Sequence, residues 1–258
     1  MCLYCQRGNP HFCNNSGVHS TLGIWRNGGW SQYCRVPVSC VHILPPQVSL
    51  RQASLCEPIS CAVHGFDLLS PLPTDADILI CGAGFWGLVW SCLLHYYGYR
   101  KVKVSEISER RRNLVISLDL GYKVFHPKIL ESQARECTVE KNTDWGFDAV
   151  IDTSGDGKEI EEAIHWLRHG GKLLISGCNP KDSDIRINPH EIYSKELKLI
   201  GSLINPHTFP KAIQLVKDMA RRYLDYEKLG IAVFQLGNYS AALTALSKNE
   251  ITKAMFET

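Results

Sequence analysis

The chain has almost no net charge to guide it. Twenty-eight Lys and Arg stand against 26 Asp and Glu, a formal charge of +2 over 258 residues. A balance this even provides no field to draw in nucleic acid or an anionic membrane surface, and both are excluded as expected partners. The one basic cluster, Arg110-Arg111-Arg112, is short and neighboured by Glu106 and Glu109, and it reads as the solvated start of a helix. A secretory leader is also lacking: no basic lead, apolar core and small-residue cleavage site open the chain. The 11 cysteines are therefore expected as free thiols of a reducing, cytoplasmic compartment rather than as a disulfide framework. Internal repeats and low-complexity segments are absent. Asp, Glu, Lys and Arg are missing altogether from Ile78 to Tyr99, a run long enough to span a bilayer. Gly82, Gly84 and Gly87 interrupt it and His95 and Tyr97 fall near its end, so a strand followed by a buried helix accounts for it better.

What is present belongs to a globular protein: hydrophobic residues are 45% of the chain and charged residues 21%. The length allows one large domain or two modest ones. Two textures follow one another. Residues 1 to about 60 are rich in Gly, Pro and Cys, with β-type stretches at Gln32–Pro37 and Cys40–Leu44 and a hairpin or tight loop at Arg26-Asn27-Gly28-Gly29. From about residue 60, strand candidates alternate with helix-length segments. The strands are Asp77–Cys81, Val102–Glu106, Phe147–Asp152, Lys172–Gly177 and Lys198–Gly201; the helices are Phe85–Tyr97, Ser108–Leu120, Lys158–Arg168 and Pro189–Lys195. Short apolar strands joined by helical crossovers predict an α/β fold, a doubly wound parallel sheet covered on both faces. Gly170-Gly171 is expected to end its helix. The tail is mixed, with an amphipathic helix at Phe209–Arg222, strands at Ile231–Leu236 and Lys253–Phe256, and the helix Tyr239–Leu246 between them.

Ile78-Leu-Ile-Cys-Gly-Ala-Gly-Phe-Trp-Gly87 is an apolar strand running into G-x-G-x-x-G. In that pattern Gly82 makes the tight turn, Gly84 lets a pyrophosphate approach the backbone, and Gly87 lets helix and strand pack closely. The pyrophosphate then meets free N–H groups at a helix start. The next strand candidate ends in Glu106, placed to accept the ribose hydroxyls of NAD and to repel the extra phosphate of NADP. Phe85 and Trp86 are bulky for such a loop; either their side chains point away from the ligand or they narrow its site. Arg111 is a candidate to stack on adenine or reach the ribose. Thr153 and Gly177 follow strand ends, where doubly wound sheets bind ligands. At the other end of the chain, Cys2, Cys5 and Cys13 are spaced C-x2-C-x7-C, three soft donors of the kind that close around zinc.

These features resemble the zinc-containing medium-chain alcohol dehydrogenases, in the sorbitol, polyol and threonine dehydrogenase-like branch. Cys2, Cys5 and Cys13 match the last three ligands of that family's four-cysteine structural zinc lobe. Arg26-Asn-Gly-Gly-Trp-Ser-Gln-Tyr33 matches R-D-G-G-F-A-E-Y, and Glu57-Pro-Ile-Ser-Cys-Ala-Val-His-Gly65 matches E-P-L-A-C-x-x-H-G, whose glutamate belongs to the catalytic zinc's environment. Gly201-Ser-Leu-Ile-Asn-Pro-His-Thr-Phe-Pro210 matches the nicotinamide-side G-S-F-x-N-P-x-T-F-P, which adds Asn205 to the cofactor-binding candidates. The resemblance implies a Rossmann NAD-binding domain over residues 61–204, inserted in a GroES-like β-barrel catalytic domain represented by residues 1–60 and 205–258. It also implies hydride transfer between a secondary alcohol or polyol and NAD, assisted by zinc.

The departure is upstream. The family's catalytic zinc is held mainly by a cysteine and a G-H-E segment that precede the zinc lobe, and neither is in these 258 residues. The barrel is accordingly expected to be incomplete, no intact catalytic residue set is assigned, and Glu57 is left as a metal-site residue without its partners. The readings that follow are a dehydrogenase represented by an N-terminally incomplete sequence, a non-catalytic NAD-binding pseudoenzyme or subunit-interaction module, and a nucleotide-binding protein of unrelated chemistry. The matches outside the glycine motif disfavour the last. A homo-oligomer is expected.

Overall fold

The computed structural model describes residues 2–130, 132, 133, 136 and 145–257. The chain divides into two compact units, Gly65–Leu203 and the pair of segments Met1–His64 and Ile204–Thr258. The helix Cys56–Leu69 carries the chain from one to the other.

The unit Gly65–Leu203 is built on six parallel strands: β1 (Ile78–Cys81), β2 (Val102–Ser105), β3 (Lys123–Phe125), β4 (Phe147–Asp152), β5 (Leu167–Ile175) and β6 (Lys198–Gly201), in the order β3-β2-β1-β4-β5-β6. Every residue of β1 is buried, as a central strand covered on both faces requires. The helix Phe85–Tyr96 is apolar nearly all round and buries Gly87 to Leu94 without a break, which marks it as a core helix. The charge-free run is thus a strand and a helix, and among the described residues no helix is long and apolar enough to cross a membrane. A core cluster joins Leu79, Phe147, Val150 and Leu173 of the sheet to Ile160, Ala163 and Ile164 of the helix Gly157–His165, with Trp166 fully enclosed.

Two local expectations change. The helix after β4 stops at His165, and Gly170-Gly171, expected to end it, lie inside β5. Phe147 pairs with Leu167, but Ala149 pairs with Lys172, so the intervening residues form a bulge that Gly170 makes possible at φ 72. Leu167, expected on the helix, is buried as a strand residue. The edge strand β3 has no counterpart among the expected strands; it is three residues long, half-buried, and begins with an exposed lysine.

In the other unit, the β-type stretches Gln32–Pro37 and Cys40–Leu44 form no strand; only a 3-10 turn at Val38–Cys40 appears there. Tyr33, Val38 and Ile43 are 92%, 87% and 94% exposed. A β-branched or aromatic sequence becomes a strand only where a partner edge and a covered face are available, and among the described residues neither meets this segment. The tight loop is real: Gly23 N–H donates to Arg26 O at 2.8 Å, and a Cβ on Gly28 would stand 2.4 Å from Gly23 Cα. Further on come the helix Phe209–Tyr223 and a parallel pair, β7 (Ile231–Gln235) and β8 (Lys253–Glu257), connected through the helix Tyr239–Ser247.

Candidate functional site

The strand order reverses between β1 and β4, and the carboxyl ends of β1, β2 and β4 open there onto a cleft of about 230 Å³. Gly82, Gly84, Glu106, Arg111 and Thr153 line it. Gly82 turns at φ 98, where a Cβ would meet Thr153 Oγ1 at 2.9 Å. Gly84 sits at the N-cap of the helix Phe85–Tyr96 with no side chain capping it, so the first N–H groups of a core helix face the cleft. A Cβ on Gly87 would fall 2.0 Å from Gly82 O, the closest approach of helix to loop. Gly82 and Gly87 therefore meet two different steric demands, while at Gly84 a Cβ would meet only Arg111 Nη1 at 3.9 Å and the loop stays open to an anion.

Glu106 is 5% exposed and tied at both oxygens: Oε2 accepts from Ala83 N–H at 2.7 Å and Oε1 from Ser108 N–H at 2.8 Å. It thereby fastens the glycine loop to the start of the next helix, Glu109–Ser117. Each oxygen keeps a lone pair for a ribose hydroxyl. Arg111 Nη1 lies 4.0 Å from the same carboxylate. Arg112 donates to the carbonyls of Glu106 and Ile107, at 2.9 and 2.7 Å. The basic cluster expected to be a solvated helix start is thus partly built into the cleft and its rim.

Thr153 Oγ1 donates to Cys81 O at 2.7 Å, fixing the end of β4 to the end of β1. Asp152 is fully buried, accepts from the amide and hydroxyl of Ser154, and its carboxyl is pushed up by burial. Trp86 does not line the cleft: its Nε1 donates to Ser176 Oγ at 2.9 Å and to Ser176 O at 3.1 Å, so the indole is turned away from the glycine loop's open side. Gly177 packs against the β4 loop, where a Cβ would stand 2.6 Å from Gly155 N; it too lies outside the lining. Asn205 belongs to the other unit, where its Nδ2 donates to Ser60 Oγ at 2.5 Å.

Sequence reasoning missed several cleft residues. Ser105 and Ile107 flank Glu106 and could have been read from that position; Ser105 is 2% exposed with its hydroxyl unpartnered. Asp156 and Glu159 line the cleft from the helix after β4, where Asp156 accepts from Lys158 N–H as N-cap. An aspartate after a strand and just before an apolar-periodic segment carries that signal. Pro127 follows β3 and was out of reach once that strand was missed.

The cysteine trio converges. A helical turn at Leu3–Gln6 stacks Cys2 and Cys5 with their sulfurs 3.7 Å apart, and the 3-10 turn Pro10–Phe12 returns Cys13, so that all three sulfurs lie within 4.8 Å of one another. Ser16 Oγ donates to Cys13 Sγ at 3.4 Å, and together with the N–H groups of Asn15 and Ser16 it lowers the Cys13 thiol to about 6. Hydrogen bonding to Cys13 and Cys2 raises Cys5 to about 11. A pocket that favours one thiolate and crowds two thiols beside it suits a thiophilic dication, which displaces the remaining protons. The donor set fits zinc with three of the four ligands of a closed structural site. Among the described residues no other group of three or more His, Cys, Asp or Glu donors converges this way. Glu57 is exposed in the first turn of its helix and accepts from the Cys61 thiol at 3.4 Å.

The comparisons agree with this geometry. The zinc-binding dehydrogenase family model matches residues 87–218, just over half of the chain. D-arabinitol dehydrogenase 1 of Uromyces fabae is 26% identical over 98% of this chain and 70% of its own length. L-threonine 3-dehydrogenase of Saccharopolyspora erythraea is 31% identical over 68% of this chain, but that match spans only 49% of the relative. A solved structure from Sinorhizobium meliloti 1021, named a zinc-binding dehydrogenase and bound to NADP, superposes with a TM-score of 0.79 at 26% identity, covering 94% of this chain and 69% of that one. With the parallel sheet, the glycine loop and the cysteine trio in place, the chain belongs to the zinc-binding dehydrogenase family.

Proposed function

We propose that the chain carries the NAD-binding domain and the structural zinc lobe of an oxidoreductase that transfers hydride between NAD and a secondary alcohol or polyol of sorbitol or threonine type. The observation that carries this reading is the cleft, where two sterically required glycines, an uncapped helix start at Gly84 and an anchored acid at the end of β2 meet. Gly82 and Gly84 receive the pyrophosphate while Gly87 lets the helix pack against the loop, Glu106 and Arg111 take the adenosine ribose, and Thr153 holds the two strand ends on which the dinucleotide lies. Trp86 and Gly177 shape the loops behind the cleft wall, and Asn205 is assigned to the cofactor from the family match alone. Cys2, Cys5 and Cys13 hold zinc; when bound, that ion folds the lobe rather than meeting substrate. In this family's chemistry a second zinc polarises the alcohol oxygen.

NAD is favoured over NADP because a buried carboxylate beside the ribose repels a further phosphate. The NADP-bound relative makes this a point to measure, since Arg111 stands 4.0 Å from that carboxylate. Titration of the purified chain with both cofactors tests it: NAD should bind more tightly, and equal or tighter NADP binding refutes the assignment. A second reading, a non-catalytic NAD-binding module, is favoured by one observation. Glu57, the residue matched to the catalytic zinc's surroundings, meets a thiol and no converging set of donors among the described residues. The chain loaded with zinc and NAD and assayed on sorbitol, threonine and simple alcohols separates the two readings by whether NADH forms.

A further inference from the structure

The dinucleotide cleft is unusually acidic for a site that must hold a pyrophosphate dianion. Three of its lining side chains are carboxyls, Glu106, Asp156 and Glu159, and one is a guanidinium, Arg111. Two of the three have N–H partners: Ala83 and Ser108 for Glu106, Lys158 for Asp156. Glu159 differs. It stands half-buried in the first turn of the helix Gly157–His165, beside the fully buried Cys81 at the end of β1. A thiol is a weak donor and compensates an ionised carboxyl poorly. Asp152 from the end of β4, Asp156 from the helix N-cap and Glu162 from its own helix face it with like charge. Burial, ahead of these neighbours, holds the Glu159 carboxyl above its usual range.

Building on the dinucleotide reading, we propose that Glu159 is a proton-linked binding residue, which takes up a proton when the anionic dinucleotide enters and then donates its O–H to a phosphate or ribose oxygen. The ionised form adds a repelling charge to a cleft that already holds two other carboxylates; the neutral form removes that charge and supplies a donor. Nucleotide affinity therefore falls as pH rises through the titration of Glu159.

Calorimetric titration of the whole chain with NADH, repeated at several pH values in buffers of different ionisation enthalpy, reads the proton directly. The expected result is net uptake of up to one proton and an affinity that weakens by at most about tenfold per pH unit across the titration. Glu159→Gln, which keeps the shape and loses the charge, should bind NADH more tightly than the native chain at high pH and take up no proton. Proton uptake that persists in Glu159→Gln, or pH-independent affinity in the native chain, overturns the assignment. Failure of both proteins to bind NADH at every pH overturns the dinucleotide reading itself, and this inference falls with it.

Discussion

At the scale of single residues, the glycine loop works by exclusion. Gly87→Ala places a methyl against the Gly82 carbonyl, a backbone atom that cannot swing aside. Helix and loop must part, at a cost of about 1–3 kcal/mol typical of forced overpacking. We expect a matching drop in the denaturation midpoint and loss of most NADH binding; unchanged binding would show that the loop does not carry the pyrophosphate. Glu106 gives a complementary test. Removing its carboxylate in Glu106→Ala strands two N–H groups at about 1–3 kcal/mol each. Glu106→Gln keeps one acceptor oxygen and should retain more stability while narrowing any preference for NAD over NADP, which parallel melting and cofactor titrations measure.

At the scale of elements, legibility followed burial. β1 and the helix after it could be read from sequence because each is covered on all sides, so apolar residues occupy nearly every position of Ile78–Cys81 and Gly87–Leu94. β3 could not, because a short edge strand needs little apolar surface. The stretch Gln32–Leu44 failed in the opposite sense: its β-type residues describe a preference that only pairing can realise, and Tyr33 and Ile43 lie almost wholly exposed. The Gly170-Gly171 pair was open to two meanings, since glycines end helices and also permit bulges; pairing with β4 decided between them. In the site, the motif glycines and Glu106 were legible, whereas Glu159 was not, because nothing in a helix-surface glutamate announces which strand end it faces. A capping prediction belongs here. Asn188 accepts from His190 N–H at the start of the helix Pro189–Lys195, and Asn188→Ala should cost about 1 kcal/mol, read by chemical denaturation.

At the scale of the whole molecule, two carboxyls, Asp152 buried and Glu159 half-buried, give stability a direction with pH. Burial raises both Asp152 and Glu159 in the folded state, so the fold binds their protons more tightly than the unfolded chain does. Their favourable contribution is complete below the ordinary carboxylate range and is lost as pH climbs through their raised values. Thermal midpoints measured from that range upward should fall with pH, and Glu159→Gln should flatten the slope. Zinc gives the other expectation: a chelator should loosen the segment around Cys2, Cys5 and Cys13 while leaving NADH binding by Gly65–Leu203 intact, as hydrogen exchange would reveal. The division into units also sets an order of events during synthesis. Gly65–Leu203 is continuous, so all of its strands have left the ribosome once Leu203 has emerged. Its companion is assembled from both ends of the chain, and its first segment must wait, apolar residues uncovered, until the last helix and strand are made. That interval exposes Val48, Leu55 and Ile59, buried in the finished fold, to chaperones and to aggregation, and a slowed ribosome lengthens it.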